Sequence, residues 1–281
     1  MREGGRVVSY RFALFFQFTI PVMLRFLLTS VFASVVLAVS AAGYGACAIS
    51  DSAVVGENIN SSFPMHSVMK FVQALYVADK CDLSATIEVD KASLLQDTWS
   101  PMLSTFEGKH RFSVRRLLSL SLKQSDNNAC DILFASCGAP SDVEAYLRSL
   151  GFDDIKLRHT EREMHYNPSL SADNSATPLA MAQLLRWFFV HHLDNANFME
   201  VWDMLAACTT GSDRLPAAFP DARVVAHKTG TGFPHPDGSF DANDAGIVLL
   251  PGAAPLAVAV FVPAGAGVSV ADAARALLRQ L

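Results

Sequence analysis

The chain has 281 residues, 51% of them hydrophobic and 17% charged, long enough for one large core or two intimate ones. Its net charge is −5, and beyond residue 42 it carries 18 basic and 26 acidic side chains, a net −8. That balance argues against a nucleic-acid binder, which needs a basic face.

The first 42 residues hold Arg2, Arg6, Arg11 and Arg25 against one acid, Glu3. Apolar runs occupy 12–24 and 26–42. The second has a basic start, an apolar stretch over 26–39 and small residues after it, the pattern of an export signal. Left uncleaved, it is long enough to serve as a membrane anchor. Residues 1–42 are therefore read as an export signal or an uncleaved hydrophobic segment, the protein's only link to a membrane.

Residues 45–49 and 54–59 read as short strands around a Ser50-Asp51-Ser52 turn. The apolar spacing over 68–78 predicts a helix, as do 113–122, 127–136 and 141–150. Residues 156–176 are polar and read as one long irregular loop, a length that points to function. Thr177-Pro178 opens a helix over 179–191. The texture then turns β-rich at 223–227, 245–250 and 256–262, and 268–280 closes as a helix. The fold class is α/β (α+β): a sheet domain from residues 43–64 and 215–281, an all-α domain from 65–214 inserted between, and a cleft where they meet.

Three short motifs carry the chemistry. Ser67-Val68-Met69-Lys70 puts a hydroxyl near a helix start with an amine one turn on and on the same face. A serine needs such a base beside it. Alone, the pair is equally a helix cap with a solvent lysine. Ser125-Asp126-Asn127 lies between two helical patterns. It offers a hydroxyl that relays protons and an amide that donates and accepts, or only a capping turn. Lys228-Thr229-Gly230-Thr231-Gly232 follows an apolar strand. Lys228 and Thr229 supply an anion site, Gly230 permits close backbone approach, and the Thr231 and Ser67 amides are candidate oxyanion donors. A phosphate loop is the competing reading, but its upstream glycine is missing.

Taken together, these blocks resemble the class A serine β-lactamases, within the wider group of penicillin-recognising serine enzymes. The resemblance runs from about Gly45 to the C-terminus and is nearest the extended-spectrum branch of PER and CfxA types. It implies an antiparallel sheet flanked by helices with an inserted all-α domain, and hydrolysis of penicillins or cephalosporins through a Ser67 acyl-enzyme. It also implies a monomer, periplasmic or secreted, that needs no metal or cofactor. Ser67, Lys70, Ser125 and Glu161 are the catalytic residues so implied, with Lys70 and Glu161 both open as the acylation base. Asn127, Lys228, Thr229, Gly230, Thr231 and His165 are the substrate-binding ones.

Glu161 in Thr160-Glu161-Arg162-Glu163-Met164-His165 separates a hydrolase from a DD-peptidase or transpeptidase, or from a membrane-anchored β-lactam sensor. Glu163 is expected in a salt bridge bracing the loop. His165 departs from the family's usual Asn and either orients water or packs in the loop. The family's usual amphipathic helix before the first strand is expected either to be lacking or to be replaced by residues 26–42, left uncleaved. Arg214 is expected either near the carboxylate site or in a surface salt bridge, and Asn243-Asp244 in a structural turn. The eight histidines show no zinc spacing. The five cysteines (Cys47, Cys81, Cys130, Cys137 and Cys208) form no disulfide framework, and each is read as a small buried apolar side chain.

Overall fold

A computed structural model describes residues 43–281. The export reading of residues 1–42, and the question of a helix before the first strand, lie outside the described residues. Among the described residues no helix is long and apolar enough to cross a membrane.

The chain opens with β1 (Gly45–Ile49), buried along its whole length, and the hairpin strand β2 (Val54–Glu57). A two-residue strand β3 (Phe63–Pro64) leads through a 3-10 turn, His66–Val68, into α1 (Met69–Lys80). A hairpin follows, β4 (Thr86–Asp90) and β5 (Lys109–Ser113), paired antiparallel, with Val89 and Phe112 buried in the core and its other face exposed. Then come α2 (Val114–Lys123), α3 (Asn127–Cys137) and α4 (Pro140–Ser149). Side-chain caps start two of these: Ser113 Oγ accepts from Arg116 N, and Asp126 Oδ1 from Ala129 N.

The segment expected to be one irregular loop is partly ordered. It holds α5 (Glu161–Tyr166), a 3-10 stretch Pro168–Asp173 and a short strand β6 (Ser175–Ala176). A Thr160–Glu163 capping box starts α5. Glu163 thus braces the loop by accepting hydrogen bonds from the Thr160 amide and hydroxyl, and not through the expected salt bridge. Next come α6 (Pro178–His191), α7 (Ala196–Ala206) and the single turn α8 (Leu215–Ala218). The chain ends in β7 (Val224–Thr231), β8 (Ala242–Leu249), β9 (Leu256–Val262) and α9 (Val270–Leu278).

The main sheet is antiparallel with order β2-β1-β9-β8-β7. Side-chain alternation divides its two faces. Cys47, Ile247, Ala257, Ala259 and Phe261 join the large core with α1 and α6. Ala46, Ala48, Val258, Val260 and Val262 pack instead with the apolar stripe of α9. Asn243 and Asp244 lie inside β8, so the expected turn is a strand. Both are buried and hydrogen-bonded: Asn243 donates to Pro64 O at 2.8 Å, and Asp244 accepts from Leu215 N at 3.1 Å. The cysteine expectation also needs correcting. Cys47 and Cys130 are buried, but Cys81, Cys137 and Cys208 are only half-buried.

Candidate active site

Four stretches of chain converge on one cleft of about 700 Å³. Ser67 stands in the 3-10 turn ahead of α1, and Lys70, fully buried, one turn on. Lys70 Nζ donates to Ser67 Oγ at 3.1 Å, Ser125 O at 2.8 Å and Asn127 Oδ1 at 2.5 Å. Four partners thus hold the ammonium, because Glu161 Oε1 lies 2.9 Å away. The same carboxylate oxygen accepts from Ser67 Oγ at 3.2 Å. Nucleophile, amine and acid therefore meet without an intervening group.

The α2–α3 turn supplies Ser125 and Asn127. Ser125 adopts φ +59°, an uncommon conformation for a residue with a side chain. Asp126 fixes the turn from beneath, accepting from Ser100 Oγ, Met102 N and Ala129 N while fully buried. Asn127 Nδ2 donates to Thr98 Oγ1 at 2.8 Å.

The strand β7 forms the opposite wall. Lys228 Nζ donates to Ser125 Oγ at 2.9 Å and to Thr229 O at 2.8 Å. Complete burial, and then the nearby Lys70 charge, bring Lys228 down to about 7. Thr229 Oγ1 and Thr210 Oγ1 share a 2.6 Å hydrogen bond. Gly232 N bonds Asp241 O at 3.0 Å, one residue beyond the Thr231–Ala242 pair. Ladder alternation therefore turns the Thr231 N–H away from β8, toward the open edge of the sheet. The reason for glycine at 230 differs from the one expected. A Cβ there would sit 2.5 Å from Met65 O, so the close approach is made by the turn carrying Ser67.

The Glu161 loop is tied to the same turn. β3 pairs with β6, and Met65 N donates to Asn174 O at 2.8 Å. Asn174, fully buried, uses its side chain to hold Arg158 N, His159 N and His159 O. Asp131 Oδ1 accepts from Glu161 N at 2.8 Å, fixing the first residue of α5.

His165 lines the cleft, but its Nε2 faces Asp97 Oδ2 at 3.2 Å. Among the described residues Arg214 makes no surface salt bridge. It donates to Gly230 O, Asn243 O and Thr231 Oγ1 at 2.6–2.8 Å, which brings a cation to the Thr231 side of the cleft. Asp131, Asn174 and Thr210 escaped the sequence reading. Asp131 stands four residues after Asn127 on α3, and an acid on an otherwise apolar helix was its available signal.

Residues 29–281 match the family model described as the β-lactamase enzyme family. The chain belongs to that family. It is 36% identical over 207 residues to the extended-spectrum β-lactamase PER-1 of Pseudomonas aeruginosa, covering 71% of this chain and 67% of that one. β-Lactamase VEB-1 of the same organism is 35% identical over 213 residues, covering 73% and 71%. Among solved structures, a β-lactamase from Chitinophaga pinensis aligns with TM-score 0.76 at 34% identity, covering 84% of this chain and 90% of that one. The TLA-3 extended-spectrum β-lactamase aligns with TM-score 0.79 at 29% identity, covering 84% and 92%. The enzyme is a serine hydrolase of β-lactams with the class A fold.

Proposed function

We propose that the cleft performs β-lactam hydrolysis in two steps, with Ser67 as nucleophile and Glu161 as the base for both. The carrying observation is that Glu161 Oε1 touches both Ser67 Oγ and Lys70 Nζ. In acylation the Ser67 proton passes to Glu161, which already accepts its hydrogen bond, while the Lys70 ammonium donates to the developing alkoxide. Oγ attacks the lactam carbonyl, and the Ser67 and Thr231 amides stabilise the oxyanion. Ser125, held by Lys228, passes its proton to the departing nitrogen and is reprotonated by Lys70, 3.5 Å from its Oγ, which takes the proton held by Glu161, so Glu161 is a carboxylate again. Lys228, Thr229 and Arg214 hold the substrate carboxylate, and Asn127 its side-chain amide. In deacylation Glu161 takes a proton from water, which attacks the ester, and returns it to Ser67 Oγ as the acyl–oxygen bond breaks.

Residues 65–214 form the helical side in this reading, and 43–64 with 215–281 the sheet side. Residues 1–42 direct export, and the enzyme acts as a monomer in the periplasm or outside the cell. His165 braces the loop through Asp97 instead of orienting water.

Glu161→Ala tests the reading. With a chromogenic cephalosporin, intact-mass spectra should show an acyl adduct that persists after substrate is removed. Turnover at the wild-type rate would sink the assignment of Glu161.

A further inference from the structure

Asp241 stands one residue before β8 and binds at four points. His66 Nε2 lies 3.0 Å from its Oδ2, and its Oδ1 accepts from Ala264 N at 2.9 Å and faces His235 Nε2 at 3.1 Å. Its backbone carbonyl accepts from Gly232 N at 3.0 Å. The His66 hydrogen bond outweighs partial burial and, with the Ala264 amide, holds the Asp241 carboxyl well below the usual carboxylate range. A carboxylate only accepts, so both histidines present Nε2–H to it.

Two of these partners adjoin the amides that face the reacting carbonyl. His66 precedes Ser67, and the peptide between them carries the Ser67 N–H. His66 has φ +49°, uncommon for a residue with a side chain and stable only where the surroundings impose it. Its ring is buried, and its bond to Asp241 spans 175 residues of chain. Gly232 follows Thr231, so the bond from Gly232 N to Asp241 O fixes the strand end that carries the Thr231 N–H. Both side chains also press on that glycine: a Cβ there would sit 3.0 Å from Asp241 Cβ and from His66 Cε1 and Nε2.

We propose that Asp241 is the positioning residue of the oxyanion hole, aiming the Ser67 amide through His66 and the Thr231 amide through Gly232. The role rests on the β-lactamase reading, in which those two amides are the oxyanion donors.

Oxyanion donors act when they stand about 2.7–3.1 Å from the oxygen as its charge develops. The tilt of the His66–Ser67 peptide therefore bears on the transition state more than on substrate binding. Without the Asp241 carboxylate, His66 relaxes toward negative φ and the Ser67 N–H swings off the carbonyl. Acylation and deacylation both pass through an oxyanion, so both slow, and kcat falls while KM changes little. His235 is the exposed arm of the same carboxylate. It ties down the loop between β7 and β8 and neither of the two amides.

The test uses the full-length protein with Glu161→Ala, in which a cephalosporin should leave an acyl-enzyme, and reads the ester carbonyl stretch by infrared difference spectroscopy. Adding Asp241→Ala should move the stretch to higher frequency, as hydrogen bonds to the carbonyl oxygen are lost. With Glu161 intact, Asp241→Ala should lower kcat about 10–100-fold and leave KM within about twofold. His66→Ala removes the ring but leaves Asp241 its bonds to Ala264 and Gly232. It should reproduce both effects, and it decides the matter if Asp241→Ala does not fold. The double variant should lose no more than Asp241→Ala alone, because both changes cut one link. His235→Gln should keep the wild-type kcat and carbonyl stretch. A stretch unmoved by Asp241→Ala and by His66→Ala overturns the positioning role, as does an equal loss in His235→Gln, which would mark a general loosening of the loop. Absence of any acyl adduct in Glu161→Ala would instead overturn the β-lactamase reading, and the role of Asp241 with it.

Discussion

Asp131 offers the sharpest test of the site's electrostatics. Its Oδ1 holds the Glu161 amide, and its Oδ2 is buried without a hydrogen-bond partner. Burial first, and then the Glu161 carboxylate, push the Asp131 carboxyl from 3.8 up to about 7. The unfolded chain loses that proton near the ordinary value. Across the window from about 4 to about 7 the unfolded state therefore binds fewer protons, and stability falls as pH rises. By about pH 8 the loss is about 4 kcal/mol for an isolated group, and about half that when the cost is shared with Glu161. Asp131→Asn keeps an oxygen for the Glu161 amide and removes the titration. Of that halved loss about 1.4 kcal/mol falls between about pH 5 and about pH 8, and at about 3 °C per kcal/mol for a domain of this size the wild-type Tm should fall about 4 °C further than the variant's over that range. Scanning calorimetry at constant salt reads this difference, and contributions from Lys228 and other groups common to both proteins cancel. Tm curves that run parallel over that range would refute the argument that Asp131 is protonated beside Glu161.

Lys228, brought down to about 7, loses its charge as pH rises through that value. KM for an anionic β-lactam should therefore climb severalfold between about pH 6 and about pH 8.5, and flatten in Lys228→Arg, whose guanidinium stays charged; a flat wild-type profile in steady-state kinetics would contradict this. Gly230→Ala places a Cβ 2.5 Å from Met65 O and must push the Ser67 turn aside. It should cost about 1–3 kcal/mol in urea unfolding and lower kcat by about a hundredfold, and wild-type values for both would show that the turn yields freely.

Much of this site was legible because its chemistry sits in contiguous blocks. Ser67 and Lys70 are one helical turn apart, and Ser125 to Asn127 and Lys228 to Thr231 are unbroken. The strands Gly45–Ile49 and Leu256–Val262 were equally plain, because both are apolar on two faces. What escaped depends on partners distant in sequence. The β4–β5 hairpin shows its apolar alternation only over five-residue strands, Ile87 and Val89 on one and Phe112 on the other, set among charged residues, and was passed over. Asn243-Asp244 carries turn-forming residue types, but His227, Leu215 and the Met65 carbonyl satisfy them inside a strand. The long loop looked irregular because its order comes from Asn174 and a capping box, not from apolar periodicity.

The strand order has a consequence for the growing chain. The N-terminal hairpin β1–β2 and the pair β7–β8 never touch within the sheet; β9 alone joins them. Until residues 256–262 leave the ribosome, β1 presents a fully apolar strand with one unpaired edge, the feature that invites pairing with other chains. The wall that carries Lys228 likewise stays unanchored to the strands made first. Synthesis must run nearly to the last helix before the cleft can exist, so a chain released early is a source of aggregates and not of partial activity.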